Sequence, residues 1–305
     1  MTSDPASPPP SEFLDFTCNL CGIRNRRAVK DLGRESATCF GCGSNVRTRG
    51  IVQALSMELF GINLALPDFP RVKSLRGIGT SDSSQYANRL AEKFDYRNTF
   101  YDREPRFDIG RPVAEENQYD FLISSEVFEH VPPPAATAFQ NAFRLLKPSG
   151  VLVLTVPYSI EPATTEHFPE LHEFGLVQLG DGIALVNRTK TGEVQVFENV
   201  VFHGGKGSTL EMREFTEEGL KALLAGAGFS GIRIYAEDYR PFGIVRSEAW
   251  SLPIAARKGP FAFSFEATRD VLEEWRELRL KFTGEMRRLD RNFWFRLGRK
   301  LGFLR

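Results

Sequence analysis

The chain has 305 residues, 42% of them hydrophobic and 26% charged, and its 39 lysines and arginines balance 39 acidic residues. A chain of this length and composition can bury a full core. The zero balance excludes broad, unspecific attraction to nucleic acid or an anionic membrane while leaving room for a local basic patch. No run of about 18 apolar residues is present, so there is no candidate for a membrane-spanning helix.

The first eleven residues carry four prolines and an aspartate but neither a basic cluster nor an apolar segment, so they do not read as a secretory signal. Residues 1–14 are taken as a disordered tail. The expected compartment is then the reducing cytoplasm, where cysteines serve as metal ligands or free thiols rather than disulfides.

All four cysteines follow at once, as Cys18-Asn-Leu-Cys21 and Cys39-Phe-Gly-Cys42 with 17 residues between the pairs. Each pair forms a knuckle whose thiolates reach one ion, and two knuckles complete a tetrahedral four-thiolate zinc site. Gly22 and Gly43 each follow a second cysteine, where the turn favours a residue without a side chain. A closed site of this kind leaves no position for substrate, so the zinc is expected to be structural. Arg24, Arg26, Arg27, Lys30, Arg34, Arg47 and Arg49 surround the pairs. Without aromatic interleaving they read as a solvated face in preference to a phosphate-binding one. Ser44 is the expected cap of a helix carrying Ile51, Leu55 and Leu59, and residues 15–60 make a zinc-ribbon-like module with a docking helix.

From about Val72, short apolar runs alternate with helical stretches, the pattern of a doubly wound α/β sheet. Leu75-Arg-Gly77-Ile-Gly79-Thr-Ser leads into a helix with Tyr86, Leu90 and Phe94, so a strand is expected to turn through glycines into a helix start, as in nucleotide-binding loops. Asp102 is expected to end the second strand, about 20 residues on, where an acidic side chain accepts from ribose hydroxyls. Residues 119–125 read as a third strand, followed by Glu126-Val-Phe-Glu-His130-Val and three prolines. A helix over 135–146 and a strand over 151–156 come next.

The succession of GxG loop, Asp-Phe-Leu-Ile-Ser-Ser-Glu-Val-Phe-Glu-His-Val and Leu-Leu-Lys-Pro-Ser-Gly-Val-Leu-Val-Leu-Thr-Val-Pro resembles class I S-adenosylmethionine-dependent methyltransferases, of the methyltransferase type 11-like group, over about residues 72–258. That resemblance implies a Rossmann-like, seven-stranded doubly wound sheet whose last strand inserts antiparallel, with a small N-terminal zinc ribbon and a C-terminal helical tail. It also implies a cofactor, S-adenosyl-L-methionine. Gly77 and Gly79 would lie under its methionine part, Asp102 would hold its ribose and Asp108 would sit near its adenine amine, with Ser124 and Glu126 at the methionine end. The sequence departs from the family at Leu75, where an acidic residue is usual, and at Arg76, where a strand is normally apolar. A cysteine module before this domain is similar to bacterial methyltransferases found among polysaccharide functions, and also to certain ribosomal-RNA base methyltransferases.

The chain has four histidines. His130, at the carboxyl edge of the expected sheet, is either a structural imidazole bonded to backbone or a catalytic group. Within the domain 61–258, residues 157–212 are an insertion that the core does not need and that is expected to build the acceptor site. There Thr165-Glu-His167-Phe-Pro-Glu-Leu-His172-Glu concentrates candidates for a general base, His167 among them; a metal site is less favoured because no HExxH spacing is present. Residues 183–188 and 194–199 read as a hairpin, and 202–207 as a glycine-rich loop. The remaining 259–305 form an amphipathic helical tail. Its end, 287–305, has seven basic residues and one acid interleaved with aromatics, suited either to a membrane surface or protein partner or to packing on the domain.

Three functions fit these observations. The first is a methyltransferase acting on a small-molecule or glycan acceptor, with a hydroxyl as the expected target. The second is an RNA methyltransferase, which the neutral charge disfavours. The third is a non-catalytic binding protein with an altered cofactor loop.

Overall fold

The structure is a computed structural model that describes residues 12–203 and 209–291. The tail over 1–11, most of the glycine-rich loop and the basic end over 292–305 lie outside the described residues. In chain order the elements are β1 (Phe13–Thr17), β2 (Arg24–Ala28), α1 (Val46–Phe60), β3 (Val72–Thr80), α2 (Ser84–Lys93), β4 (Phe94–Thr99), β5 (Tyr119–Ser125), α3 (Ala136–Leu145) and β6 (Leu146–Thr155). The acceptor-side insertion follows with β7 (Tyr158–Ser159), β8 (Thr165–Glu166), β9 (Glu173–Leu179), β10 (Gly182–Arg188), β11 (Val194–Phe197), β12 (Phe202–His203), β13 (Thr209–Leu210) and β14 (Arg213–Thr216). The chain closes with α4 (Glu217–Ala227), β15 (Gly231–Ile234), β16 (Ile254–Arg257) and α5 (Phe265–Arg291).

The central sheet has the order β15-β16-β6-β5-β3-β4. β3, β4, β5 and β6 run parallel, while β16 lies antiparallel between β6 and β15. β5 is buried along nearly its whole length, as a central strand covered on both faces must be. One face packs on α1, α2 and α5 through Ile51, Val52, Leu55, Tyr86, Leu90, Phe121 and Val153. The other packs on α3 and α4 through Phe139, Ala142, Leu145, Leu220 and Leu224. The α/β architecture and the antiparallel insertion of the last strand agree with the expectation.

Among the described residues six strands form this sheet, where seven were expected. Between β4 and β5 the chain forms no strand of this sheet, and Pro105 and Pro112 there carry no amide to donate to a ladder. This segment instead folds on itself through a bridge between Phe100 and Arg106.

Several boundaries move for similarly local reasons. β1 begins at Phe13, inside the stretch assigned to the tail, and pairs with β2 across Phe13 and Ala28. The cap of α1 is Asn45, whose side chain accepts from the Thr48 amide while the Thr48 hydroxyl accepts from the Asn45 amide; Ser44 turns inward instead. The Lys147–Gly150 turn is absorbed into β6 with a register shift, held by Lys147 on Asp120 at 2.7 Å. α4 is capped by Thr216, whose hydroxyl accepts from the Gly219 amide, and closed by Gly228 in the left-handed region.

In the insertion, β10 and β11 form the expected hairpin and β9 adds a third strand. Along α5, Trp275, Leu278 and Phe282 stay exposed, and contact with the core is limited to its first turns through Ala267 and Val271. No helix among the described residues is long and apolar enough to cross a membrane.

Candidate active site and cysteine centre

The two cysteine knuckles fold alike. In each, the amide of the glycine after the second cysteine bonds the carbonyl of the first, Gly22 to Cys18 at 2.8 Å and Gly43 to Cys39 at 2.9 Å, and both glycines adopt positive φ. The knuckles bring the four sulfurs within 4.8 Å of one another, with Cys18 Sγ 3.7 Å from Cys42 Sγ and Cys21 Sγ 3.5 Å from Cys39 Sγ. Tetrahedral zinc with bonds of about 2.3 Å sets its thiolates about 3.8 Å apart, so the donor set fits that ion in chemistry and spacing. Ser44 Oγ lies 3.1 Å from Cys18 Sγ, and Asn25 Nδ2 reaches Cys39 Sγ at 3.6 Å.

Of the module's basic residues Arg24, Arg26 and Lys30 are exposed, as a solvated face requires, whereas Arg34, Arg47 and Arg49 turn to partners in the domain. Arg49 is fully buried and donates to Thr38, Ser44 and the Gly243 carbonyl, which ties the module to the far end of the domain. Arg34 and Arg47 cross to the carboxyl edge of the sheet. Arg34 pairs with Glu126 at 2.8 Å and donates to the Ser251 carbonyl, while Arg47 bonds Ser125 Oγ at 2.5 Å and Glu35 at 2.7 Å. Paired partners at long sequence separation explain why local charge pattern missed them.

At that edge β3 connects to β4 on one side and has β5 on the other, the reversal of direction at which open α/β sheets bind ligands. Ser81 and Glu126, just past the ends of β3 and β5, both have positive φ, a strained state for such residues that concentrates at functional sites. Ser124 is buried and receives a hydrogen bond from Thr80 at 2.9 Å. Asp82 is buried beneath them and accepts from the hydroxyls of Tyr86 and Tyr96. Burial pushes its carboxyl up to about 7 against the pull of those two donors.

The glycine positions differ from the loop that the spacing suggests. Gly77 and Gly79 lie inside β3, and a Cβ at Gly77 would overlap the Phe121 ring while one at Gly79 would overlap Tyr96 Oη and the Asp82 carboxylate. Phe121 and Tyr96 stack across this strand with centroids 5.7 Å apart. These glycines therefore allow two aromatic rings to pass under the sheet, and the space beside them is filled by the chain itself. Leu75 joins the same apolar layer. Arg76 points to the other face, over Tyr119 and onto Gln118.

Open space lies instead on the opposite face, in a concavity of about 420 Å³ lined by Ile78, Thr99, Phe107, Asp108, Val113 and Tyr119. The exposed charged residues Arg97, Arg106, Arg111 and Glu115 also line it, and its apolar part with the half-buried Asp108 carboxylate suits a flat heteroaromatic ring carrying an amine. Asp108 holds its own turn through the Gly110 amide at 2.9 Å. β4 ends at Thr99, so Asp102 sits three residues past it, exposed in the folded-back loop.

The insertion covers the other end of this edge. Arg213, fully buried, donates to Glu166 at 2.7 Å and to the carbonyls of Phe128 and Val131, clamping the insertion onto the turn Phe128–His130. His130 Nδ1 is 2.9 Å from the Leu210 carbonyl, and burial lowers its pKa, leaving a neutral ring. His167 Nε2 lies 3.0 Å from Glu211 and His203 Nε2 lies 2.5 Å from the same carboxylate. The rings of His130 and His203 stand edge to face, 5.0 Å apart. Of the 165–173 candidates His167 and Glu166 join this region, while His172 is exposed, Glu170 accepts from Gln195 and Glu173 pairs with Arg188. Glu211 carries no signal in the sequence. His203 lies beside the glycines and was readable there only as part of a loop.

A family model described as a methyltransferase domain matches residues 40–233. No curated protein matches the chain. Among solved structures, an S-adenosylmethionine-dependent methyltransferase from Mesorhizobium loti is 16% identical, with 63% of this chain and 95% of that one covered and a TM-score of 0.39. A Burkholderia thailandensis 1,6-didemethyltoxoflavin-N1-methyltransferase is 17% identical over 70% and 81%, with a TM-score of 0.36. An amino pentose methyltransferase from Micromonospora echinaspora is 14% identical over 63% and 84%, with a TM-score of 0.34.

Proposed function

From the premise that this chain belongs to the methyltransferase-domain family, as a class I S-adenosylmethionine-dependent enzyme, we propose that it methylates a hydroxyl of a small-molecule or sugar acceptor. The observation that carries this reading is the convergence of His167 and His203 on Glu211, with the His130 ring 5.0 Å from that of His203, at the same sheet edge as Ser124 and Glu126. The cofactor supplies a methyl group on a sulfonium. The protein has to hold that carbon in line with the acceptor oxygen, exclude water and remove one proton.

In this reading Asp108 and the apolar walls around it hold the adenine, and Asp102 takes the ribose. Arg47 and Arg34 give the methionine carboxylate cationic partners above Ser125 and Glu126, while Gly77, Gly79 and Ser124 keep the floor of the site close-packed. Glu211 accepts the Nε2 proton of His167, so Nδ1 carries the lone pair that takes the hydroxyl proton. His130 donates its Nδ1 proton to the Leu210 carbonyl, which leaves Nε2 as the nitrogen with the lone pair. Zinc on Cys18, Cys21, Cys39 and Cys42 is structural, and through Arg49 and α1 it fixes the position from which Arg34 and Arg47 reach the edge.

Inward-turned Arg34, Arg47 and Arg49 also remove three of the cations with which the module would grip RNA. The domain limits proposed are 15–60 for the module and 61–258 for the catalytic unit, with α1 packed on β6 and β16 across that boundary. The test is transfer of labelled methyl from S-adenosylmethionine to a panel of sugars, nucleotide sugars and structured RNA. Label on a sugar hydroxyl, lost in His167→Ala with cofactor binding retained, is the expected result. Label on RNA alone would overturn the acceptor assignment.

A further inference from the structure

Glu129 stands out within the acceptor-side cluster. It is 1% exposed, and neither carboxylate oxygen has a hydrogen-bond partner, an arrangement that a folded protein does not keep without compensation. Burial raises its pKa well above the carboxylate range, and the neighbouring charge of Glu126 adds to that.

Its neighbours are arranged as metal ligands usually are. His130 Nε2 faces Glu129 Oε1 at 3.6 Å, and the other ring nitrogen of His130 is fixed by a backbone carbonyl, which sets the tautomer with its lone pair toward Glu129. His203 is oriented by a carboxylate, Glu211, which in turn is shared with His167. One ligand atom each from Glu129, His130 and His203 lie within 4.8 Å of one another. Two ligands bound at about 2.1 Å in tetrahedral geometry sit about 3.4 Å apart, so a modest contraction closes the set around an ion.

We propose that Glu129, His130 and His203 form a binding site for a divalent first-row transition cation, separate from the four-cysteine centre, with coordination positions left open toward the acceptor. Two imidazoles and one carboxylate select a harder ion than four thiolates do, so the two centres differ in the metal they prefer. Glu211 acts from behind the ligands, holding His203 in place. In the proposed reaction the cation would orient an acceptor hydroxyl and make its proton easier to remove. That role rests on the acceptor reading, but the binding does not.

The probe is Mn²⁺, which leaves a zinc-filled thiolate site undisturbed. The zinc-loaded full chain is titrated while free Mn²⁺ is followed by electron paramagnetic resonance. One Mn²⁺ per chain is expected, weakened at least tenfold in both Glu129→Gln and His203→Ala and unchanged in His172→Ala. Should Glu129→Gln fail to fold, His203→Ala, on a half-exposed ring, carries the test. Absence of Mn²⁺ binding in the folded protein, or wild-type binding by His203→Ala, overturns the proposal. Transfer of methyl from S-adenosylmethionine in the absence of added cation is read separately, so losing this site leaves the methyltransferase reading standing.

Discussion

The cysteine module and the acceptor-side insertion both end in a cluster of potential ligands, but they are assembled from opposite kinds of sequence information. The four cysteines lie in two local turns, each closed by its own glycine and its own backbone hydrogen bond. The acceptor cluster draws Glu129 and His130 from the end of β5, His167 from beside β8, and His203 and Glu211 from either side of β13, and it is held by one buried guanidinium, that of Arg213. A centre built from local turns is written in spacing. A centre built from distant segments exists only once the fold has closed, and it should be correspondingly easier to break from afar.

The largest effect expected is on the local centre. Cys18→Ser together with Cys39→Ser, or removal of the metal by a chelator, should cost on the order of 5–10 kcal/mol, since metal binding energy here is folding energy. Denaturant midpoints alongside metal content check this, and loss of metal with an unchanged midpoint would separate the module from the stability of the domain.

Next in size is the remote break. Arg213→Met should destabilise by about 3–5 kcal/mol, because it leaves Glu166 and two buried carbonyls without their donor. It should also open the insertion to limited proteolysis and lower methyl transfer more than tenfold while cofactor affinity changes little. Equal losses of both would mean that the clamp supports the whole domain and not the acceptor side alone.

Much of the frame was legible in the sequence. The cysteine spacing and the alternation of strands and helices depend on patterns within a few residues, and the antiparallel final strand was implied by the family resemblance. What was not legible depends on partners far away. Arg34, Arg47 and Arg49 look like a solvated cluster until Glu126, Ser125 and Gly243 meet them. Gly77 and Gly79 look like a ligand cradle until Phe121 and Tyr96 fill the space above them. Glu211 is one acid among many until His167 and His203 converge on it.

A smaller effect distinguishes the buried carboxyl beneath the edge. Asp82 titrates near 7 in the folded protein and near 4 when unfolded, so the folded state holds the extra proton between those values. Its contribution to stability is fully present below about pH 4, falls as pH rises and is lost above about pH 7. Asp82→Asn should therefore gain on the wild type as pH is raised from 5 to 8, by up to a few kcal/mol, in denaturation curves taken across that range. A constant difference would show that Asp82 does not titrate there. The smallest effect belongs to the surface: Lys221→Ala removes pairs with Glu217 and Glu218 on an exposed helix face and should change stability by no more than about 0.5 kcal/mol.

The central claim is that the module's arginines and the Asp108 concavity together receive S-adenosylmethionine at the carboxyl edge of the sheet. Calorimetric titration of the zinc-loaded protein with S-adenosylmethionine and S-adenosylhomocysteine tests it most directly. Micromolar binding, weakened about tenfold or more in both Arg47→Gln and Asp108→Asn, as expected for lost hydrogen bonds to charged groups, is the predicted result. No heat of binding in a folded sample, or wild-type affinity in both variants, would contradict it.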